Sequence, residues 1–327
     1  MATRRQVLIA LGGGALCSPF RSFAQSQSRL PRIGYLSFAP ITDAPSPERA
    51  AFLDGLRDLG YIDRKTITIE YQSGEMNVEM LPDAAEELVD RKVDLIVAAG
   101  TVAAVAAKNA TKSIPVVMMF SSEPVASGLV KSLAKPGGNV TGTANLSLGG
   151  KHVELMREVL PHLTRLAILI NPTNPAARPF VAGMTQAARN ASIDVTIVEV
   201  SRPEEFAQAY ASLRNARADW LHVVDEPMIS SRRAEWVAFA SAARLPLSSD
   251  VGETARLGGL ISYAPSSTEH YLLAAVYVDK ILQGAKPADL PVQEPTRYEL
   301  ILNLKTANTL GLTIPRSVLL RAQEVIQ

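Results

Sequence analysis

Cysteine is almost missing from these 327 residues: there is one, Cys17. A single cysteine excludes an internal disulfide framework and any metal site built from several thiolates. An excess of either charge is missing too, with 33 Lys and Arg against 32 Asp and Glu. That balance argues against a nucleic-acid clamp and against electrostatic attachment to a membrane surface. Beyond the N-terminal region, no uninterrupted apolar run reaches the ~18 residues that a membrane span requires. Phosphate-cradling glycine loops are also lacking. The one glycine run, Gly12-Gly13-Gly14, precedes every candidate strand, and no GxGxxG or GxxxxGK[ST] pattern follows one. The four histidines, His152, His162, His222 and His270, show no HExxH or paired-ligand spacing, and no GxSxG elbow is present. No cofactor or metal is therefore expected. His222 falls inside a predicted strand and reads as a packed core residue, whereas His152 and His162 near the ends of one helix read as solvated. What remains is the composition of a plain α/β protein long enough for two domains.

The first 24 residues read as an export signal. They hold three Arg and no acidic residue, with Arg4-Arg5 ahead of an apolar stretch over 7–17 and Ser22-Phe23-Ala24 as the cleavage site. The arginine pair fits a twin-arginine signal, or an ordinary secretory signal with adjacent arginines. Leu16 before Cys17 argues against lipidation, because lipoprotein signals carry a small residue there. Cleavage after Ala24 leaves 303 residues with no cysteine, and losing three Arg takes the net charge from +1 to −2. A cysteine-free chain suits the periplasm, an oxidising compartment.

From Pro31 onward, short β-branched runs alternate with helical-period segments. Strands are predicted over 32–37, 66–71, 93–99 and 114–120, with an edge-type strand over 139–146. Helical segments are predicted over 47–59, 81–91, 101–109 and 125–133. The rhythm then restarts, with helices over 151–160, 177–190, 203–215, 231–243 and 268–282 and strands over 166–170, 195–200, 220–224, 245–248 and 260–263. Such alternation implies right-handed βαβ crossovers and two doubly wound lobes with parallel sheets.

In open parallel sheets, ligands gather outside the carboxyl ends of the strands. Ser37 and Phe38, Gly100 and Thr101, Ser121, Ser122 and Glu123, Asn174, Asp225 and Asp250 occupy such positions, and Asn145 lies near the end of the edge strand. Gly100-Thr101 opens a helix whose free N–H groups suit an anion; alternatively Thr101 only caps that helix. Ser121-Ser122-Glu123 repeats the theme, with Pro124 near the first turn of the next helix, and its hydroxyls either bind ligand or cap. Asp225 either holds a ligand ammonium or caps the next helix, and Asn174 and Asp250 follow the same logic. Phe38 and Tyr263 offer flat walls for an apolar ligand portion, or ordinary packing.

A more specific pattern lies towards the C-terminus. Tyr277-Val278-Asp279-Lys280-Ile281-Leu282-Gln283-Gly284-Ala285-Lys286-Pro287 leads through Leu290-Pro291-Val292 and Glu294-Pro295-Thr296 to Asn303-Leu304-Lys305-Thr306-Ala307 and Leu310-Gly311-Leu312-Thr313-Ile314-Pro315. Together with Ser122-Glu123-Pro124-Val125 and Pro136-Gly137-Gly138-Asn139, this resembles the ABC-transporter substrate-binding family that includes the tryptophan/tyrosine-binding components. The resemblance implies a type I periplasmic-binding-protein fold: a solute-binding protein, not an enzyme, that closes by a hinge around a small ligand and hands it to an ABC permease. A monomer is expected. The crossovers are implied near 143–147, 265–268 and 291–297, giving lobes of 30–145 plus 266–292 and 146–265 plus 293–327. Glu123 departs from the family's usual Asp. Asp225-Glu226-Pro227 departs from a Thr-Asp-Asn station, and residues 248–253 also look unusual, so ligand identity does not transfer. The competing readings are an exported sensor subunit feeding a membrane signalling partner and a periplasmic enzyme on the same scaffold.

Overall fold

Each β-branched run from Arg32 onward is followed by a segment that can bury one helical stripe on it, and this repetition produces two sheets. The computed structural model describes residues 29–224, 226–294 and 296–327. The first sheet is built from β1 (Arg32–Ser37), β2 (Thr68–Ser73), β3 (Leu95–Ala99), β4 (Val116–Ser122) and β5 (Val140–Asn145), with α1 (Pro47–Asp58), α2 (Leu81–Asp90) and α3 (Thr101–Ala110) between successive strands. Its order is β2-β1-β3-β4-β5, all parallel, so β5 lies at an edge as its sequence suggests. Most positions of the central strands β1, β3 and β4 are buried because helices cover both faces. Local chemistry sets the helix starts: Ser46 accepts from Arg49 N at 3.2 Å ahead of Pro47.

The second sheet follows after α4 (Gly149–Val159). It takes β6 (Arg165–Ile170), α5 (Ala177–Asn190), β7 (Asp194–Glu199), α6 (Phe206–Asn215), β8 (Trp220–Val223), α7 (Pro227–Ser230), α8 (Arg233–Ala242), β9 (Leu247–Ser249), α9 (Gly252–Arg256) and β10 (Ile261–Pro265). The chain then runs through α10 (Ser267–Leu282), β11 (Tyr298–Asn303), α11 (Leu304–Leu310), α12 (Arg316–Leu319) and β12 (Glu324–Ile326). The order is β12-β11-β10-β9-β8-β6-β7, with β10 and β11 antiparallel and every other neighbour parallel.

Three segments pass between the two sheets: 146–148, Ser266, and the stretch between α10 and β11. Helix α10 packs on the first sheet, where Ala274, Ala275, Tyr277 and Val278 join Ile33, Phe52, Leu95 and Val117 in one buried cluster. The stretch between α10 and β11 is tied to β5 by Ala144 N donating to Gln293 O (2.9 Å) and Gln293 N donating to Gly142 O (3.0 Å). Another buried cluster contains Leu36, Phe38 and Leu81 of the first lobe together with Leu169, Val223 and Met228 of the second, so apolar packing is continuous between them.

One expected helix is absent. Residues 125–133 form successive turns, with Ser127 N donating to Glu123 O and Leu129 N to Pro124 O, both at 2.8 Å. The left-handed Gly128 and the Pro136-Gly137-Gly138 stretch favour turns, and burying Leu129 and Val130 needs no complete helix.

Candidate functional site

In the first lobe the candidate residues meet at the carboxyl ends of β3, β4 and β5. Gly100 joins β3 to α3 at φ +82, and a Cβ there would meet nothing within 4 Å, so the surface in front of it is open. Thr101 does not cap its own helix: its buried hydroxyl oxygen accepts from Ser122 N at 2.8 Å, linking α3 to the end of β4. β4 shifts register between Met118 and Ser121, and Phe120 and Glu123 both take positive φ. The Glu123 carboxylate accepts from Ser147 N at 2.9 Å, and Glu123 N donates to Asn145 O at 3.1 Å. Glu123 therefore braces the first crossover. Ser121 and Asn145 are buried, yet Ser121 Oγ and Asn145 Nδ2 have no hydrogen-bond partner. Ser37 is half-buried, with its carbonyl accepting from Gly74 N; Phe38 is packed into the apolar cluster.

The second-lobe candidates are more scattered. Asn174 Oδ1 accepts from Ala176 N at 3.0 Å, shaping the turn into α5. Asp225 lies outside the described residues. Its neighbour Glu226 caps α7, accepting from Ile229 N at 2.8 Å, and also accepts from Asn171 Nδ2 at 3.3 Å. Asp250 is buried and partnered. Ser249 ends β9 fully buried, with an unpartnered Oγ. Tyr263 is half-buried, its ring stacked on Tyr298 at 6.0 Å.

His152 corrects the expectation of a solvated residue. It is 5% exposed, and its ring lies edge-on to His222 at 4.8 Å between centroids. The amphipathic period of α4 turns this position inward, while the polar residue type suggested the opposite. Burial lowers its pKa to about 4 and lowers that of His222 well below the usual value, with the neighbouring ring adding to the effect on His222. His270, fully buried at the start of α10 and edge-on to Phe120 at 4.7 Å, is likewise pushed down to about 4 by burial, against a smaller opposing effect of Glu269. The histidine pair is not a site candidate by sequence, because nothing local brings residues 152 and 222 together. Ser249 stands with Asp250 directly after the strand predicted over 245–248, which places it at a strand end, although only Asp250 is assigned a binding role from sequence.

The arrangement holds donors and small polar groups at strand ends. Among the described residues no cluster of three or more His, Cys, Asp or Glu could hold a metal ion, and no helix is long and apolar enough to cross a membrane. Residues 42–326 match the family model described as ABC transporter substrate binding protein. The chain belongs to this family. A tyrosine-binding protein of Clostridioides difficile (strain R20291) is 29% identical over 279 residues, covering 85% of this chain and 81% of its own. Among solved structures, a Streptococcus pneumonia ABC domain in complex with L-Trp is 29% identical with a TM-score of 0.85, and a Vibrio cholerae conserved domain protein is 27% identical with a TM-score of 0.86. Each covers 91% of this chain and all of its own. This substrate-binding protein thus has the type I periplasmic-binding-protein fold, and it is a binding protein, not an enzyme.

Proposed function

We propose that this substrate-binding protein captures a free amino acid with an aromatic side chain between its two lobes. The mature chain starts at Gln25 in the periplasm and acts as a monomer that delivers its ligand to an ABC permease. The lobes comprise 30–145 plus 266–292 and 146–265 plus 293–327, and closing the hinge between them buries the ligand without chemistry. The observation that carries the proposal is the set of buried polar atoms without partners at strand ends: Ser121 Oγ, Asn145 Nδ2 and Ser249 Oγ. Each such atom costs about 1–3 kcal/mol unless a partner is supplied. An amino acid supplies partners of both kinds. Its carboxylate accepts from the Ser121 hydroxyl and the Asn145 amide, near the N-terminal N–H groups of α3. Its ammonium donates to the Ser249 hydroxyl, with Asp225 assigned to the same group from its position after β8. Tyr263 contributes a flat wall for the side chain. The tyrosine- and tryptophan-binding relatives support this class of ligand.

Calorimetry with L-tyrosine and L-tryptophan, alongside mass spectrometry of ligand released from gently purified protein, tests the proposal. A single site is expected, with Asn145→Ala and Ser121→Ala each weakening it by about tenfold. No binding of either amino acid, together with release of a different chemical class, would overturn it.

A further inference from the structure

Two histidines 70 positions apart meet inside the second lobe. His222 on β8 is fully buried, with Nδ1 3.0 Å from Ser248 Oγ, an oxygen that also accepts from Trp220 Nε1 at 2.8 Å. His222 Nε2 has no partner. A proton that charges this ring places N–H groups on both nitrogens, and the one on Nε2 finds no acceptor. His152 covers it edge-on from the first turns of α4, and its own ring lies 5.9 Å from that of Tyr263 at an interplanar angle of 65°. Tyr263 stacks in turn on Tyr298 at 6.0 Å and 25°.

Three of the four rings, those of His152, Tyr263 and Tyr298, lie where the chain enters and leaves the second lobe. α4 is the first element after the crossover at 146–148, Tyr263 comes two residues before Pro265 and the passage into α10, and Tyr298 begins β11 after the third crossover. Ser266 N donates to Arg297 O at 3.2 Å, closing the arrangement between the latter two.

We propose that the His152–His222 pair is a positioning element for Tyr263 and the three crossovers, and that protonating it loosens their anchorage and weakens ligand capture in acid. The ligand part rests on the binding proposal above. Among the described residues the groups facing the pair are few. β8 and β9 contribute Trp220 and Ser248, β10 contributes Tyr263, and β11 contributes Tyr298 beyond it. The carboxylates of Glu294 and Glu269 act on Tyr298, not on the imidazoles. Val153, Met156, Ile168, Phe180 and Val224 form the apolar cluster on this side of the sheet. Among the described residues no carboxylate acts on either imidazole, so a ring charged there moves towards water.

The test compares wild type with His152→Phe, which keeps a buried ring but cannot take a proton. Calorimetric Kd for L-tyrosine between pH 7.5 and 4.0 is expected to weaken by about twofold in wild type, with most of the change below pH 5, and to stay nearly flat in His152→Phe. Hydrogen exchange of the ligand-free proteins, corrected for the intrinsic pH dependence, provides a readout that needs no ligand. Protection at 149–153 and 261–266 is expected to fall at pH 4.0 in wild type and to hold in the variant. Parallel pH profiles in the two proteins, or a flat profile in wild type, overturn the inference. If L-tyrosine fails to bind at pH 7.5, the binding proposal is what fails, and the exchange comparison decides the role of the pair.

Discussion

Thr101 shows how one hydroxyl is spent in this protein. Its oxygen accepts the Ser122 N–H at 2.8 Å inside a buried corner, holding the end of β4 against the start of α3. Thr101→Val removes that acceptor at nearly constant volume and leaves a backbone donor unpaired. The expected loss is about 1–3 kcal/mol in urea unfolding, with Thr101→Ser close to wild type. Equal stability of the valine variant would show that Ser122 N finds another partner. Thr101 was legible as a strand-end residue, but the direction of its hydroxyl was not, because Ser122 is brought to it by the pairing of β3 with β4. Glu123 follows the same rule, since its carboxylate reaches the crossover at Ser147.

At the scale of elements, the joint between α4 and α5 depends on one absent side chain. A Cβ on Gly149 would lie 2.1 Å from Met184 N, so the helices approach through backbone there. Gly149→Ala is expected to force the helices apart and lower stability by about 1–3 kcal/mol in thermal unfolding. Gly150→Ala is the control. Nothing lies within 4 Å of its Cβ, and alanine at a helical position is expected to stabilise by about 0.5–1 kcal/mol. Nearly all the longer elements were legible, because burial on both faces demands continuous apolar strands and 3.6-residue stripes. The 125–133 segment was not: its apolar residues are spaced for a helix, but turn chemistry on either side prevails. β12, three residues long, carries too short a pattern to be read and exists because β11 offers it an edge.

Across the whole molecule, three buried histidines set the acid response. His152 and His270 have pKa values of about 4 in the folded protein, and His222 is also well below the usual value, all through burial. The unfolded chain takes up protons on these groups as pH falls through ~6.5, while in the folded protein His152 and His270 stay neutral until about pH 4 and burial likewise keeps His222 neutral below the usual value. Their contribution is therefore fully present above pH 6.5 and is lost as pH falls towards 4. The slope is about 1.4 kcal/mol per pH unit for each such group within the window. Urea unfolding from pH 7.5 to 4.5 should show this decline, and replacing His270 by Phe should make it shallower; an unchanged slope would contradict the assignment. Ligand addresses the same scale, because anything that binds only the folded protein raises its apparent stability by mass action. At ligand about 100 times Kd, L-tyrosine is expected to add about 2.7 kcal/mol, visible as a higher melting temperature.

Alternation of strands and helices, the scarcity of cysteine and the C-terminal motifs determined by themselves the fold class, the absence of disulfides and the family, since each is written in local periodicity or in residue identity. Tertiary structure alone decided what individual polar groups do. It turned Thr101, Glu123 and Asn174 to hold backbone and buried His152 against His222. It left Ser121, Asn145 and Ser249 with unpartnered atoms at strand ends. Hydrogen-bond partners and burial are set by strand pairing and helix packing between residues far apart in the chain, and no local pattern encodes that juxtaposition.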